Sequence, residues 1–434
     1  MVHGREAEGL DRLRVEFDDE RAVANAGLLL PATLAGRLGL EQLVDETVDL
    51  SGRPGAARPG RKVLTLCHAM LLGADSIDDC DLLRSGRTGL VLGHGVLAPS
   101  TLGTFLRAFT FGHVRQLDRV LAEALRRAWE AGAGPGEERL VIDLDSFVGE
   151  VHGYEKQGAA YGYTRELGYH PLVATRAGTD EVLHVSLRKG SANTQRGACR
   201  FVDELIARVR RAGACGEILL RADSGFWNTK ITARLRAKGC RYSIGVRLTK
   251  PVVEAIEQLD ESAWRPLADY PDTGEAQIAE TTLGGDRLIV RRVRTLDDQQ
   301  QLFATWQHFA FISNRGEPLE LVEREHREHA TVELVIRDLK DQALCHFPSG
   351  RFNANAAWTV IACLAHNLHR WSGLLGLPDQ SPRRARTIRR RLLELPGRLT
   401  RSARRWTLHL PARWPWQHDF LAALARIRAL PAPG

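Results

Sequence analysis

The feature that most constrains the fold is a change in hydrophobic periodicity near residue 139. Short apolar runs typical of β-strands occur at 139–148, 169–176, 181–188, 217–223 and 241–247. Helix-like runs at 199–212 and 228–238 flank the fourth of these strands. Three neighbouring strands, then helix, strand, helix and strand, predict an α/β core of the ribonuclease H-like type.

Other patterns surround and interrupt this core. A hairpin is predicted with strands 276–283 and 286–294 and Gly284-Gly285 as its turn, followed by a strand at 306–313. We therefore predict a β-rich subdomain inserted into the core. The predicted regions are a helical N-terminal part for DNA binding and dimerisation (1–130), the first part of the core (139–248), the insertion (249–315), the end of the core (316–375) and a helical, Arg-rich C-terminal tail (376–434).

Three acidic residues fall where such elements would deliver carboxylates to one point. Asp145 and Asp223 end predicted strands, and Glu333 lies on a predicted amphipathic helix. Asp143 shares a strand face with Asp145, because side chains alternate along a strand. Gathered carboxylates bind hard divalent cations, and a pair of such cations serves in-line phosphodiester chemistry. The pattern predicts a metal-dependent site that cuts and joins DNA.

Each acid also has an ordinary structural interpretation. Asp145 could begin a turn, Asp223 could form an Asx-turn, and Glu333 could pair with Arg337 one helical turn later. Three carboxylates within about 4 Å of each other would repel by roughly 4 kcal/mol per pair at an effective dielectric constant near 20. A site built from all three acids should therefore favour a bound cation.

Charge indicates the kind of partner. The net charge is +7, and ten Arg against one acid lie between Arg383 and Arg405. Such a run is often only a solvated face, but its density without acids favours phosphate contacts. The tail residues that we predict to contact DNA are Arg389, Arg390, Arg391, Arg404 and Arg405.

Several classes of protein are disfavoured. The seven Cys residues form no CxxC pair, which favours a reducing cytoplasm over a disulfide framework. The longest apolar stretch, 63–74, is too short to span a bilayer, so we expect a cytoplasmic protein without a membrane partner. No phosphate-loop, dinucleotide or esterase motif is present.

At these residues the chain resembles the DDE transposases of bacterial insertion sequences, specifically the insertion-sequence-1380 family. The resemblance is carried by Ile-Asp-Leu-Asp-Ser (142–146), Arg-Ala-Asp-Ser-Gly-Phe (221–226), Val-Glu-Leu-Val-Ile-Arg-Asp-Leu-Lys (332–340), Asn-Ala-Asn-Ala-Ala-Trp (353–358), Ala-His-Asn-Leu (365–368) and the Arg-rich segment 388–399. It covers most of the chain and is weakest before residue 60.

The resemblance implies a ribonuclease H-like catalytic domain with a β-strand insertion before the final acid. It implies Asp145 as the first metal ligand, with Asp143 as a rival because Phe147 stands at the family's Thr position. Related transposases carry Tyr and Arg upstream of the Glu and a Lys seven residues after it. Lys340 matches that Lys, whereas His326 and His329 occupy the other two positions. A protonated His or Arg327 would then contact phosphate.

The leading hypothesis is a cut-and-paste transposase. Two Mg²⁺ ions, replaceable by Mn²⁺, would be held by Asp145, Asp223 and Glu333, with Arg337 and Lys340 on the scissile strand. The expected partners are the terminal inverted repeats of the element, target DNA and a second copy of the chain. The alternatives are a structure-specific nuclease that cuts without joining and a non-catalytic DNA-binding protein derived from a transposon.

Overall fold

The predicted core strands lie side by side in one large mixed sheet of a computed structural model. The structure describes residues 13–153, 155–162, 165–267, 274–295, 306–377 and 384–432 of the 434-residue chain. Residues 1–12 of the predicted N-terminal region and 378–383 of the predicted tail, including Arg383, lie outside these ranges.

Before the core the chain is mainly helical, as the sequence predicts. A two-residue strand, β1 (Ala22–Val23), precedes the helices. They are α1 (Leu29–Arg37), α2 (Leu40–Thr47), α3 (Pro59–Leu71), α4 (Thr88–Leu92), α5 (Pro99–Arg107) and α6 (Phe111–Ala128), with 3₁₀ turns at Ala26–Leu28 and Asp78–Arg84 and a π-turn at Trp129–Ala133. Helix α3 is buried along nearly its whole length, so this region has a core rather than only a surface face.

The predicted core strands and the two helices between them occur in the predicted order, with three further short strands, not predicted, that form a small sheet of their own between the first and second. They are β2 (Leu140–Ser146), β3 (Gly149–Glu150), β4 (Ala160–Tyr161), β5 (Leu167–Tyr169), β6 (Leu172–Arg176), β7 (Val182–Ser186), α7 (Ala198–Ala212), β8 (Ile218–Ala222), α8 (Thr229–Ala237) and β9 (Arg241–Val246). Strands β2, β8 and β9 are parallel neighbours, whereas β6 and β7 are antiparallel. Strand β2 is buried from Ile142 to Leu144, including the charged Asp143, whereas Asp145 and Ser146 at its carboxyl end are partly exposed.

The β-rich segment does not form a separate subdomain, which corrects the prediction. Its elements are α9 (Lys250–Glu257), a 3₁₀ turn (Glu261–Ala263), β10 (Arg265–Pro266), β11 (Gly274–Leu283), β12 (Asp286–Thr295) and β13 (Gln307–Ser313). Strand β13 pairs with β9, so within the described residues the sheet runs β10-β11-β12-β13-β9-β8-β2-β6-β7. Gly284 and Gly285 both have positive φ, which is the backbone that a two-residue hairpin turn requires.

After the sheet the chain is helical again, as predicted. The elements are α10 (Leu319–Arg327), a 3₁₀ turn (Glu328–Thr331), α11 (Val332–Leu339), a π-turn (Lys340–Leu344) and α12 (Phe352–Gly376). Helix α12 is apolar on most sides and is buried almost throughout. It packs against α3, α6 and β7, and thereby joins the N-terminal helices to the sheet.

The C-terminal region is not purely helical, which corrects a second prediction. Short helix α13 (Ala385–Ile388) and a π-turn (Arg389–Leu393) are followed by the hairpin β14 (Gly397–Ser402) and β15 (Arg405–His409), and then by α14 (Gln417–Ala429). The hairpin pairs with β1 in a small sheet of order β1-β14-β15. The segment alternates in the manner of a strand, with Leu399 buried between Arg398 and Thr400. Its many Arg residues make this alternation of apolar and polar side chains hard to recognise in the sequence.

Candidate active site

Sheet register brings Asp145 and Asp223 together. Strands β2 and β8 are parallel neighbours, and their last registered pair is Leu144 with Ala222. Asp145 follows Leu144 and Asp223 follows Ala222, so both acids leave the same end of adjacent strands. Neighbouring strands lie about 5 Å apart. The two carboxylates therefore share one edge of the sheet.

The backbone after Asp223 forms a tight turn that fixes this acid. Its Oδ1 accepts a hydrogen bond of 3.1 Å from the backbone N–H of Gly225, at the start of the 3₁₀ turn 224–226. The turn lies against β9, because a Cβ added to Gly245 would stand 2.9 Å from the backbone N of Ser224. The Asx-turn interpretation is thus correct, and it leaves the side chain of Asp223 exposed at the sheet edge.

Glu333 reaches the same edge from helix α11. The apolar face predicted for this helix (Val332, Val335, Ile336 and Leu339) is buried, and the helix packs against β2. The preceding turn is tied to the strand, since Nε2 of His329 lies 3.2 Å from the carbonyl oxygen of Leu144. Among the described residues Glu333 and Arg337 form no ion pair with each other, and both side chains are exposed.

Electrostatics link the three acids into one cluster. The pKa of Asp145 is raised from 3.8 to about 6, chiefly because the carboxyl is buried. The nearby negative charges of Asp223 and Glu333 also raise it, whereas the backbone N–H of Ser146, at 2.6 Å, and the charge of His329 lower it. Asp145 is therefore destabilised as a carboxylate by its burial and by the other two acids, as expected where no cation balances their charge.

Asp145, Asp223 and Glu333 offer the oxygen donors that a hard divalent cation prefers, but their carboxylates are not arranged around a common point. All three acids supply carboxylate oxygens, and the pKa of Asp145 is raised chiefly by burial, with smaller contributions from the charges of Asp223 and Glu333. Within the described residues no three His, Cys, Asp or Glu side chains are grouped so that they could hold a metal ion. Binding would require the exposed Asp223 and Glu333 to turn toward Asp145.

Asp143, the rival first ligand, is engaged elsewhere. Its two carboxylate oxygens accept hydrogen bonds of 2.7 and 2.8 Å from Arg221, its registered neighbour on β8. Both side chains are buried, Asp143 with 1% and Arg221 with 2% of its surface exposed. Arg221 also donates to the carbonyl oxygen of Glu325, so the pair joins the sheet to α10. Sequence reasoning missed Arg221, although it is the first residue of the motif Arg-Ala-Asp-Ser-Gly-Phe (221–226) and stands two residues before Asp223.

Two cations stand beside the cluster. The ammonium of Lys340 lies 5.6 Å from the ring centroid of Phe147, which directly follows the Asp145–Ser146 strand end. Arg337 is exposed on the helix that carries Glu333. The ammonium of Lys340 is therefore placed near the end of β2, and Arg337 is an exposed base one helical turn after Glu333.

His326 does not provide the charge that the sequence suggested. Burial lowers its pKa to about 3, with the charges of His329, Arg221 and Arg291 adding to the effect. The neutral ring stacks on Phe311 at 4.0 Å between centroids, and its Nδ1 lies 2.7 Å from the hydroxyl of Ser243. The prediction of a protonated phosphate contact at His326 is corrected accordingly.

Arg327 also has a structural partner. Its Nε donates a 2.9 Å hydrogen bond to Oε2 of Glu323, which is 1% exposed and also pairs with Arg291. A buried carboxylate that binds two guanidinium groups holds them in place. Arg327 is thus part of the packing of α10 on the sheet.

The Arg residues of the tail divide into two groups. Arg389 donates to the carbonyl oxygens of Leu71 and Asp341, and burial lowers its pKa, so it is a packing residue. Arg391 stacks over Trp416 at 5.1 Å. Arg390, Arg404 and Arg405 are exposed, the last two at the turn of the β14–β15 hairpin and the start of β15.

A further residue near the site escaped sequence reasoning. His170 is 2% exposed, and its two ring nitrogens lie 2.6 Å from the carbonyl oxygen of Ala192 and 3.0 Å from the hydroxyl of Ser146. Since a carbonyl can only accept, Nδ1 carries the proton and Nε2 accepts from Ser146. The neighbour of Asp145 is thereby fixed, and only the register of β6 beside β2 reveals it.

No helix in the described ranges is both long and apolar enough to cross a membrane.

Comparison with known proteins gives a family. The family model described as transposase DDE domain group 1 matches residues 6–432. No curated protein matches the chain. Among solved structures, the chain is similar to the cryo-EM structure of the piggyBac transposase synaptic complex with hairpin DNA, with 14% identity, a TM-score of 0.47, and coverage of 86% of this chain and 80% of that one. Because that likeness is loose, nothing about this chain's chemistry or partners follows from it.

Proposed function

The chain belongs to the transposase DDE domain family, group 1, and from that premise we propose that it is a cut-and-paste transposase. It would cleave DNA at the two ends of its element and join the freed 3′ ends to target DNA. One observation carries the proposal: Asp145 and Asp223 leave adjacent parallel strands at one edge, where both Asp223 and Glu333 raise the pKa of Asp145.

Asp145, Asp223 and Glu333 would hold two Mg²⁺ ions, for which Mn²⁺ would substitute. The ions would supply Lewis acidity for the attacking and leaving oxygens of a phosphodiester, without a covalent protein–DNA link. Asp143 is left out of this set because Arg221 occupies both of its oxygens. Bound cations would favour the ionised form of Asp145, whose pKa is raised to about 6 chiefly by burial and also by the charges of Asp223 and Glu333.

The remaining side chains would position the DNA strand. Lys340, held over Phe147, and the exposed Arg337 would bind phosphates on either side of the scissile bond. His170 would keep Ser146 and thereby the end of β2 in place. The strand end would then present Asp145 without movement of the backbone.

DNA outside the site would be bound by other parts of the chain. The exposed Arg390, Arg404 and Arg405 would contact phosphates of the terminal inverted repeats, together with the N-terminal helices. Two ends must be brought together for a cut-and-paste reaction, so we propose a homodimer on DNA. Within its family we also propose that the chain is of the insertion-sequence-1380 type, with a ribonuclease H-like core and a nucleoid location in a bacterial cell.

Cleavage by an Asp223→Asn variant tests this function. The amide keeps the size of the side chain and its bond to Gly225, but removes the charge. We expect unchanged binding to a duplex carrying the inverted repeats that flank the gene, and loss of Mg²⁺-dependent cleavage. Asp341→Asn, at an exposed acid a few residues after Glu333, is the matched control and should cleave normally. Normal cleavage by Asp223→Asn would refute the assignment.

A second assay separates the proposal from its alternatives. Duplexes with pre-cut 3′ ends should be joined to a target plasmid by the wild-type chain. Cleavage without joining would indicate a structure-specific nuclease. Binding of DNA with neither activity, in Mg²⁺ or Mn²⁺, would indicate a non-catalytic DNA-binding protein.

A further inference from the structure

The segment before β1 has the pattern of a β-strand, but no strand in the described part of the chain pairs with it. Residues 13–18 (Leu-Arg-Val-Glu-Phe-Asp), here called the arm, alternate apolar and charged side chains. Leu13 is 68% exposed, Val15 is 72% exposed and Phe17 is fully exposed. Three large apolar side chains on one face of an extended segment are costly to leave in water. The alternation instead suits a half-buried strand.

The small sheet of the same chain has a free edge that such a strand would fit. Strand β15 is the outer strand of the order β1-β14-β15, and no described residue pairs with its outer side. The hairpin turn holds two residues, Ala403 and Arg404, so Ser402 and Arg405 form the hydrogen-bonded closing pair. By alternation, Trp406 and Leu408 direct their backbone N–H and C=O groups outward.

The side chains on the two faces of β15 match the apolar and charged faces of the arm. Trp406 lies across from Arg401, and Leu408 across from Leu399, on the face that includes the apolar cluster of Val23, Leu399 and Leu408. The other face carries the side chains of Arg405, Thr407 and His409. An arm paired with β15 would extend the apolar face with Leu13, Val15 and Phe17, and would set its charged residues beside the polar face.

Charge favours the same pairing. The arm and the two residues after it contain four acids against one base. Glu16 pairs with Arg14 and Asp19 with Arg398 of the same chain, whereas Asp18 and Glu20 form no ion pair among the described residues. The hairpin carries the exposed bases Arg401, Arg404 and Arg405. Opposite charges at facing surfaces bring partners together and disfavour wrong ones.

We propose that the arm of one copy adds to strand β15 of a second copy, and that this exchange is reciprocal. The arm continues into β1, which lies at the opposite edge of the small sheet from β15. Within the described residues the arm does not pair with the free edge of its own chain, whereas a second copy offers the same edge. Reciprocal exchange gives a closed dimer with two identical contacts. The inference does not depend on the proposed catalytic function.

Light scattering coupled to size exclusion, on the full chain without DNA, tests the proposal. We expect twice the chain mass for the wild type and once the chain mass for Val15→Asp/Phe17→Asp. Leu408→Pro, which removes an outward N–H from the edge, should also be monomeric. Leu421→Asp, at an exposed apolar residue on α14, is the matched control and should remain dimeric.

Hydrogen exchange of the β15 amides provides a second measurement in case a variant folds poorly. The amides of Trp406 and Leu408 should be protected in the wild type and should exchange at least tenfold faster in Val15→Asp/Phe17→Asp. A monomeric wild type would overturn the proposal, whether those amides are protected by the arm of the same chain or not. A dimer that survives Val15→Asp/Phe17→Asp with both amides still protected would also overturn it.

Discussion

Asp143 and Arg221 form a buried, bidentate ion pair between two parallel strands, with N–O distances of 2.7 and 2.8 Å. Asp143 lies two residues before Asp145 on β2, and Arg221 lies two residues before Asp223 on β8. The pair therefore fixes the register that brings Asp145 and Asp223 together at the carboxyl ends of the two strands. It also connects this part of the sheet to α10 through the carbonyl oxygen of Glu325. Of two acids on the same strand face, one is thus a structural residue and the other is available for chemistry.

Removal of this pair should affect stability. Asp143→Ala leaves the guanidinium of Arg221 buried without its partner, which costs about 3–5 kcal/mol of unfolding free energy. Chemical denaturation measures the loss. The double variant Asp143→Leu/Arg221→Met replaces both charges by apolar groups of similar size and should recover much of the stability. A stable Asp143→Ala protein that has lost cleavage would instead favour Asp143 as the first metal ligand.

Asp145→Asn should have the opposite effect on stability. The folded pKa of Asp145, about 6, is above its ordinary value of 3.8, so its ionisation destabilises the folded chain as pH rises through this window. In metal-free buffer at pH 7.5, the variant should gain about 2 kcal/mol, after allowance for partial exposure. The gain should disappear below about pH 3, where Asp145 is largely protonated in both states. Thermal or urea unfolding at the two pH values checks this, and an equal effect at both would contradict it.

Arg337 and Arg327 offer a matched comparison on neighbouring helices. Arg337→Ala removes an exposed charge, so the unfolding free energy should change by less than about 0.5 kcal/mol. If Arg337 binds one phosphate, the slope of log K against log salt should fall by about 0.9. Arg327→Ala removes a partner of buried Glu323 and should chiefly destabilise the fold. The reverse pattern, with only Arg327→Ala altering the salt slope, would place the phosphate contact at Arg327.

The exposed Arg residues of the tail should act together on DNA affinity. Replacing Arg390, Arg404 and Arg405 by Ala should lower the salt slope by up to about 3, because each phosphate contact contributes about 0.9. Arg389→Ala is the control, since this side chain packs against the carbonyl oxygens of Leu71 and Asp341. It should destabilise the fold. An unchanged slope in the triple variant would remove the tail from the DNA-binding surface.

The order of the main strands and helices along the chain was predictable from the sequence, because it depends on local periodicity. The run from β2 to β9, the hairpin turn at Gly284-Gly285 and the buried face of α11 all follow from spacing within a few residues. The place of the inserted strands was not predictable in this way. Pairing of β13 with β9 joins residues 64 to 70 positions apart, from Ala310 with Val246 to Ser313 with Ser243, and nothing in either strand alone specifies that partner.

The roles of individual charges were harder to predict, because each depends on which partner the side chain contacts in the folded chain. By residue type, Arg327 and Arg389 could bind DNA phosphates and Asp143 could bind a metal ion. Their partners Glu323, Leu71 and Arg221 decide otherwise. His326 illustrates the same limit, because its neutral state follows from packing under Phe311 and Ser243 rather than from its spacing to Glu333.

The central claim is that Asp145, Asp223 and Glu333 form one catalytic centre. The most direct test is Mg²⁺-dependent cleavage of an element-end duplex by Asp145→Asn, Asp223→Asn and Glu333→Gln, each at saturating protein and with its DNA binding verified. We predict that all three variants lose cleavage by at least a thousandfold while Asp341→Asn retains it. Cleavage at the wild-type rate by any one of the three would contradict the claim.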